Sequence, residues 1–105
     1  MDLSNFVQLR DAVAVLVMFK TGVRINTLSQ LEERHIDFNN SVLNLEGSIM
    51  KNHQQRKLPF DDLLKRLLEV LIKQNAFIRK RYRKSNSLLF ITKYGDPISS
   101  SSTHK

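Results

Sequence analysis

The sequence predicts an α+β fold, mainly helical with a small three-stranded antiparallel sheet. Long stretches with helical apolar spacing lie at Leu3 to Lys20 and from Asp62 to about Arg83. Between them sit short β-type runs, broken at Gly47 and closed by Pro59. At 105 residues, with 41% hydrophobic side chains, the chain suffices for one domain with a single core.

The elements follow in order. In the first helix Val7, Ala14 and Met18 keep helical spacing, while Val13, Val15, Leu16, Val17 and Phe19 fill the other faces. A helix apolar nearly all round is normally buried on all sides. Lys20-Thr21-Gly22 supplies a cationic last turn and a glycine cap. A second helix is expected from Ile25 to Glu33, with Ile25, Leu28 and Leu31 on one face. Asp37-Phe38-Asn39-Asn40 has turn chemistry, and Val42 to Leu45 reads as a strand. Ile49-Met50-Lys51 and Arg56-Lys57-Leu58-Pro59 flank the polar tip Asn52-His53-Gln54-Gln55, a four-residue hairpin loop. Asp61 or Asp62 caps the long helix, whose apolar stripe is Leu63, Leu64, Leu67, Leu68, Leu71 and Ile72. Ser85-Asn86-Ser87 is a loop, Leu88 to Ile91 an extended apolar piece, and Lys93 to Pro97 a turn.

Composition excludes several classes of function. With no cysteine, disulfides and thiolate metal sites are ruled out, and His35, His53 and His104 lack metal-ligand spacing. No metal or cofactor is therefore expected. The longest apolar run, Ala12 to Phe19, is too short to span a bilayer, and no signal peptide precedes it. Charge is the informative quantity. Residues 1–50 hold four Lys/Arg against six acids, a net −2, whereas residues 51–105 hold thirteen against four, a net +9. Such asymmetry points to a polyanion, with nucleic acid first and an anionic membrane surface second.

The ordered set TGVRINTL, HIDF, MKNHQQRKLPF, a Leu-rich helix and LLF…YGDPIS resembles the catalytic domain of the tyrosine recombinases, the phage-integrase family. The resemblance covers about residues 10–103. It implies that residues 1–105 are the N-terminal half of such a domain, with Arg24 as the first catalytic arginine and Lys51 as the catalytic lysine of the hairpin. Asn52, His53 and Arg56 are then phosphate or groove contacts on double-stranded DNA. The family commonly places an acid three residues after the arginine, where this chain has Thr27, and an Asp at the helix exit, where it has His35. After Thr103 neither the His-x-x-Arg box nor the nucleophilic tyrosine of the family follows, and Tyr82 and Tyr94 come too early to replace it. A fragment inert for strand cleavage is expected, from a cytoplasmic, nucleoid-associated parent that works with other recombinase protomers. An apolar patch over Val13, Val15, Leu16, Val17 and Phe19 is expected to stay uncovered and to drive self-association.

The residue types fit phosphoryl chemistry. Breaking a phosphodiester without metal loads charge onto the two non-bridging oxygens, and a planar guanidinium matches them with paired N–H donors. The departing 5′ oxygen needs a proton, which a lysine near phosphate can give. The competing role for Arg24 is to cover the carbonyls ending the first helix. For Lys51 it is an edge-strand guard against sheet pairing. Arg79 to Lys84, the densest basic run, is either a solvated helix end or a DNA-backbone contact. A non-catalytic nucleic-acid-binding module and a protein-interaction fragment are the rival functions.

Overall fold

The computed structural model describes residues 3–45 and 55–98. Helix α1 (Leu3–Thr21) is followed by the short helix α2 (Ile25–Gln30), a 3-10 turn at Glu33–His35 and strand β1 (Ile36–Asp37). Strands β2 (Val42–Leu45) and β3 (Arg56–Pro59) precede the long helix α3 (Asp62–Tyr82). The sheet is antiparallel in the order β1-β2-β3, with Ile36 opposite Leu43 and Leu45 opposite Arg56. The α+β class and the count of three strands agree with the sequence, but the strands differ. Two-residue β1 replaces part of the expected turn, and Val42–Leu45 pairs directly with Arg56–Pro59. The expected strand Ile49 to Lys51 and the tip Asn52 to Gln54 lie outside the described residues.

The core follows from periodicity. Phe6, Val13, Ala14 and Val17 form the inner face of α1, and Leu64, Leu68, Leu71 and Ile78 that of α3. On β2 the alternation is strict: Leu43 and Leu45 point inward, Val42 and Asn44 are half-buried. Leu89, Phe90 and Ile91, the expected extended apolar piece, are fully buried beneath the helices. The all-round apolar character of α1 does not make it buried on all sides. Val13 and Val17 join the core, whereas Val15 and Phe19 stand 60% and 86% exposed, so the expected patch shrinks to its outer half.

Caps form where the sequence places them. Gly22 takes φ +73° and its N–H reaches the Met18 carbonyl at 2.8 Å, closing α1 with a left-handed residue that a side chain would strain. The Asp61 carboxylate accepts from the Leu64 N–H at 2.9 Å and opens α3. The Asp37 carboxylate accepts from both the side chain and the backbone of Asn40, which holds it below the usual carboxylate range and fixes the β1–β2 turn.

Helix α2 ends three residues earlier than expected, and the cause is tertiary. Leu31 turns extended and its carbonyl accepts from the Leu89 N–H at 2.9 Å, while the Glu33 N–H donates to the Ser87 carbonyl at 2.9 Å. Beside this pairing lies a half-buried polar junction. Glu33 Oε2 accepts from Arg79 Nη2 at 2.8 Å and from Asn75 Nδ2 at 3.3 Å. The same Asn75 amide donates to the Leu89 carbonyl at 2.8 Å, and Arg79 Nη1 to the Leu88 carbonyl at 3.3 Å. From the other side Arg10 Nη1 reaches the Ile91 carbonyl at 3.2 Å. The Ser87 hydroxyl donates to Glu32, holding that carboxyl below its ordinary range, with Arg34 adding to the effect.

Glu33→Ala leaves Arg79 and Asn75 without their shared acceptor and should cost about 2 kcal/mol. The measurement is the urea midpoint at unchanged slope. Adding Arg79→Leu should recover part of the loss, because no lone half-buried cation then remains; a single-mutant effect below about 0.5 kcal/mol would show that the junction does not stabilise the fold.

Candidate nucleic-acid interface

The corner between α1 and α2 is built from its own polar groups. Thr21 is buried; its hydroxyl donates to the Val17 carbonyl at 2.7 Å and accepts from the Val23 N–H at 3.1 Å. With Gly22 turned left-handed, Arg24 takes the N-cap position of α2 in an extended conformation, φ −88° and ψ 165°. Its carbonyl accepts from the Leu28 N–H at 3.0 Å. The Arg24 side chain is exposed, and among the described residues its guanidinium has no hydrogen-bond or ion-pair partner.

The covering role weighed for Arg24 falls to another residue. Arg56 Nη1 donates to the Thr21 carbonyl at 3.4 Å, so the arginine at the start of β3 answers the carbonyl that ends α1. This bond, long for a hydrogen bond, ties the returning strand to the turn that carries Arg24. Lys20 and Asp61, 4.0 Å apart, join the same end of α1 to the cap of α3. The structure thus brings Arg24 and Arg56 to one corner, while Lys51, Asn52 and His53 lie outside the described residues. Arg56 and Lys57 are exposed on the edge strand, where cations and Pro59 discourage pairing with another sheet.

The two departures from the family pattern have local accounts. Thr27 is buried on the inner side of α2, and an ionised acid there would need a charged partner inside. His35, also buried, accepts the Glu32 N–H on Nδ1 at 2.8 Å and completes a reciprocal cap of the 3-10 turn. The imidazole serves the backbone at that position. With only six residues, α2 has a weak dipole, so at Arg24 the guanidinium itself is the anion-attracting group.

The basic run ending α3 divides. Arg79 is committed to Glu33, and Lys84 pairs with Asp96 at 2.8 Å. Lys80, Arg81 and Arg83 are exposed. Tyr82 packs edge-on against Tyr94 at 5.6 Å between ring centres, with Arg81 and Lys93 over the two faces. This stack was not readable beforehand, because the turn that returns Tyr94 to Tyr82 depends on Gly95 at φ +87° and its carbonyl's bond from Asn86. Helix α3 is 21 residues long, about 30 Å at 1.5 Å per residue, so Tyr82 sits at the pole opposite the Arg24 corner. Thr21 was likewise missed as a site-building residue; its signal is a threonine directly before the capping glycine. Among the described residues no cluster of three His, Asp or Glu side chains is placed to hold a metal ion, and no helix is long and apolar enough to cross a membrane.

An exposed arginine on a capped helix corner, a three-stranded antiparallel sheet beside it and a long helix closing the core make up the α+β frame of the candidate site. The chain belongs to the phage integrase family, whose model matches residues 1–105. Tyrosine recombinase XerC of Listeria monocytogenes serotype 4b (strain F2365) is 27% identical to it over 90 residues, 86% of this chain and 29% of that protein. The XerC proteins of Lacticaseibacillus casei (strain BL23) and Staphylococcus saprophyticus subsp. saprophyticus are 25% and 27% identical over 92 and 90 residues. These stretches are 87% and 86% of this chain but only 30% and 28% of the two relatives, so the chain spans less than a third of their length.

Thr21→Val removes the hydroxyl that answers both Val17 and Val23 and should lower stability by about 1–2 kcal/mol. Thr21→Ser keeps both bonds and should stay within about 0.5 kcal/mol of the parent. Equal losses in the two variants, measured by urea unfolding, would assign the effect to packing of the methyl group instead.

Proposed function

We propose that this chain is the arginine- and lysine-bearing part of a site-specific tyrosine recombinase, which cuts and rejoins double-stranded DNA through a 3′-phosphotyrosyl intermediate. The observation that carries the reading is the Arg24 guanidinium: exposed, unpaired among the described residues, and on a corner to which Arg56 ties the hairpin strand. An arginine needed only for the fold would be spent on its neighbours, as Arg79 is.

In this reading Arg24 neutralises the non-bridging oxygens of the scissile phosphate as phosphorus becomes five-coordinate. Lys51, five residues before Arg56 in the sequence, protonates the departing 5′ oxygen. Asn52, His53 and Arg56 contact the phosphate backbone or groove of the duplex. The attacking tyrosine is neither Tyr82 nor Tyr94, which pack against each other at the far pole. The 105 residues alone are then inert for strand cleavage and retain only charge-driven affinity for duplex DNA. The recombinase would act in the cytoplasm on the nucleoid, alongside further protomers and without a cofactor.

The test uses a nicked duplex that traps the covalent intermediate. The chain alone should form no adduct. Joined to the C-terminal segment of a related recombinase that supplies the tyrosine, it should form one, and Arg24→Ala should lower the yield by about a hundredfold or more. Lys51→Ala should slow cleavage but recover when sulfur replaces the 5′ bridging oxygen, since thiolate leaves without a proton. An adduct indifferent to Arg24→Ala removes the phosphate clamp from the account, and failure of the sulfur substrate to rescue removes Lys51 as the acid.

A further inference from the structure

Helix α3 carries two parallel ladders of side chains, and among the described residues only one is covered along its whole length. The inner ladder, Leu64, Leu68, Leu71, Asn75 and Ile78, steps by four, three, four and three residues and is buried in the core. Shifted by one residue, Leu63, Leu67, Val70, Gln74 and Phe77 repeat the same steps. Steps of four and three average 3.5 residues and keep side chains on one seam, the pattern by which two helices interlock. On the second seam Leu63, Val70 and Phe77 are 62%, 43% and 47% exposed, with Leu67 and Gln74 half-buried between them. It runs about 21 Å along the helix.

Charge tells what covers it. Arg66, Lys73 and Lys80 follow the outer border of the seam at seven-residue intervals, all exposed, and among the described residues none is in an ion pair. Glu69 lies on the side of this row away from the seam. The other border is the buried ladder itself. A second copy laid antiparallel on the seam would set one cationic row against the other. A parallel copy would drive that row over the partner's own core ladder. An acidic border is what the row accepts.

We propose that the Leu63–Val70–Phe77 face of α3 is a docking site for an amphipathic α-helix of a partner protein. That helix presents an apolar seam of matching step, bordered by Glu or Asp opposite Arg66, Lys73 and Lys80. The site is separate from the Arg24 corner and does not depend on the DNA chemistry assigned there.

Two synthetic helical peptides test this, sharing one Leu/Ile seam of four-three step but bordered by Glu in one and by Lys in the other. Fluorescence anisotropy should show the Glu-bordered peptide binding this chain at least about tenfold more tightly. Val70→Asp should weaken that binding by about tenfold or more. The triple variant Arg66→Glu, Lys73→Glu, Lys80→Glu should reverse the preference, a gain for the Lys-bordered peptide that no loss of folding imitates. Equal binding of the two peptides, or binding indifferent to Val70→Asp, overturns the proposal. Self-association abolished by Val70→Asp would make the occupant a second copy, and binding to phosphatidylserine vesicles abolished by it would make the occupant a lipid surface; either outcome also overturns the proposal.

Discussion

The rest of the structure depends on how Glu33 is answered. One carboxylate, half-buried, takes the Arg79 guanidinium and the Asn75 amide, and those two side chains also bind the Leu88 and Leu89 carbonyls. Four segments far apart in sequence meet there: the exit of α2, the second half of α3, the buried Leu88–Ile91 stretch and, through Arg10, α1. Charge-assisted bonds in such a setting are stronger than those between neutral groups, and leaving any one partner unanswered costs more than the bond returns. The junction therefore acts as a unit. It also sets the candidate site, because α2 is held at both ends, by the Thr21-Gly22 corner on one side and by the Leu31–Leu89 bond on the other.

The cations of the chain sort by this standard. Arg79 and Arg56 bond backbone carbonyls, as Arg10 does from α1, and Lys84 is paired with Asp96. Of these, Arg56, Arg79 and Lys84 belong to residues 51–105, whose positive excess is thus partly spent on the fold. Arg24 and the Arg66–Lys73–Lys80 row stay exposed and out of any ion pair among the described residues, at separate places and bordered differently. Arg24 stands alone beside the start of β3, which suits a point contact with phosphate. The α3 row borders an apolar seam, which suits an amphipathic surface. Net charge alone does not separate these uses.

Much of this was legible in the sequence. Gly22 after a cationic turn, Asp61 before a Leu-rich stripe and Pro59 at a strand end each carry a local physical signature, and each stands where expected. The arginine of the TGVR turn was singled out through the family resemblance, and the fold adds that the covering role weighed against it falls to Arg56. What failed depends on distant parts of the chain. Helix α2 shortens since Leu31 pairs with Leu89, more than fifty residues on. Strand β1 has two residues, too few for any alternation to register. The outer half of α1 shows the reverse limit: Val15 and Phe19 are apolar by sequence and exposed in the fold, since pattern reports which residues seek burial and not what is there to bury them.

The central claim is that Arg24 contacts a DNA phosphate directly, and the salt dependence of duplex binding tests it most directly. Each phosphate contact contributes about 0.9 to the slope of log K against log salt on duplex DNA. The account predicts that Arg24→Ala weakens binding uniformly across sequences and flattens the slope by about one contact's worth. An Arg24→Ala chain that binds duplex with the parent's slope at every salt concentration would contradict it.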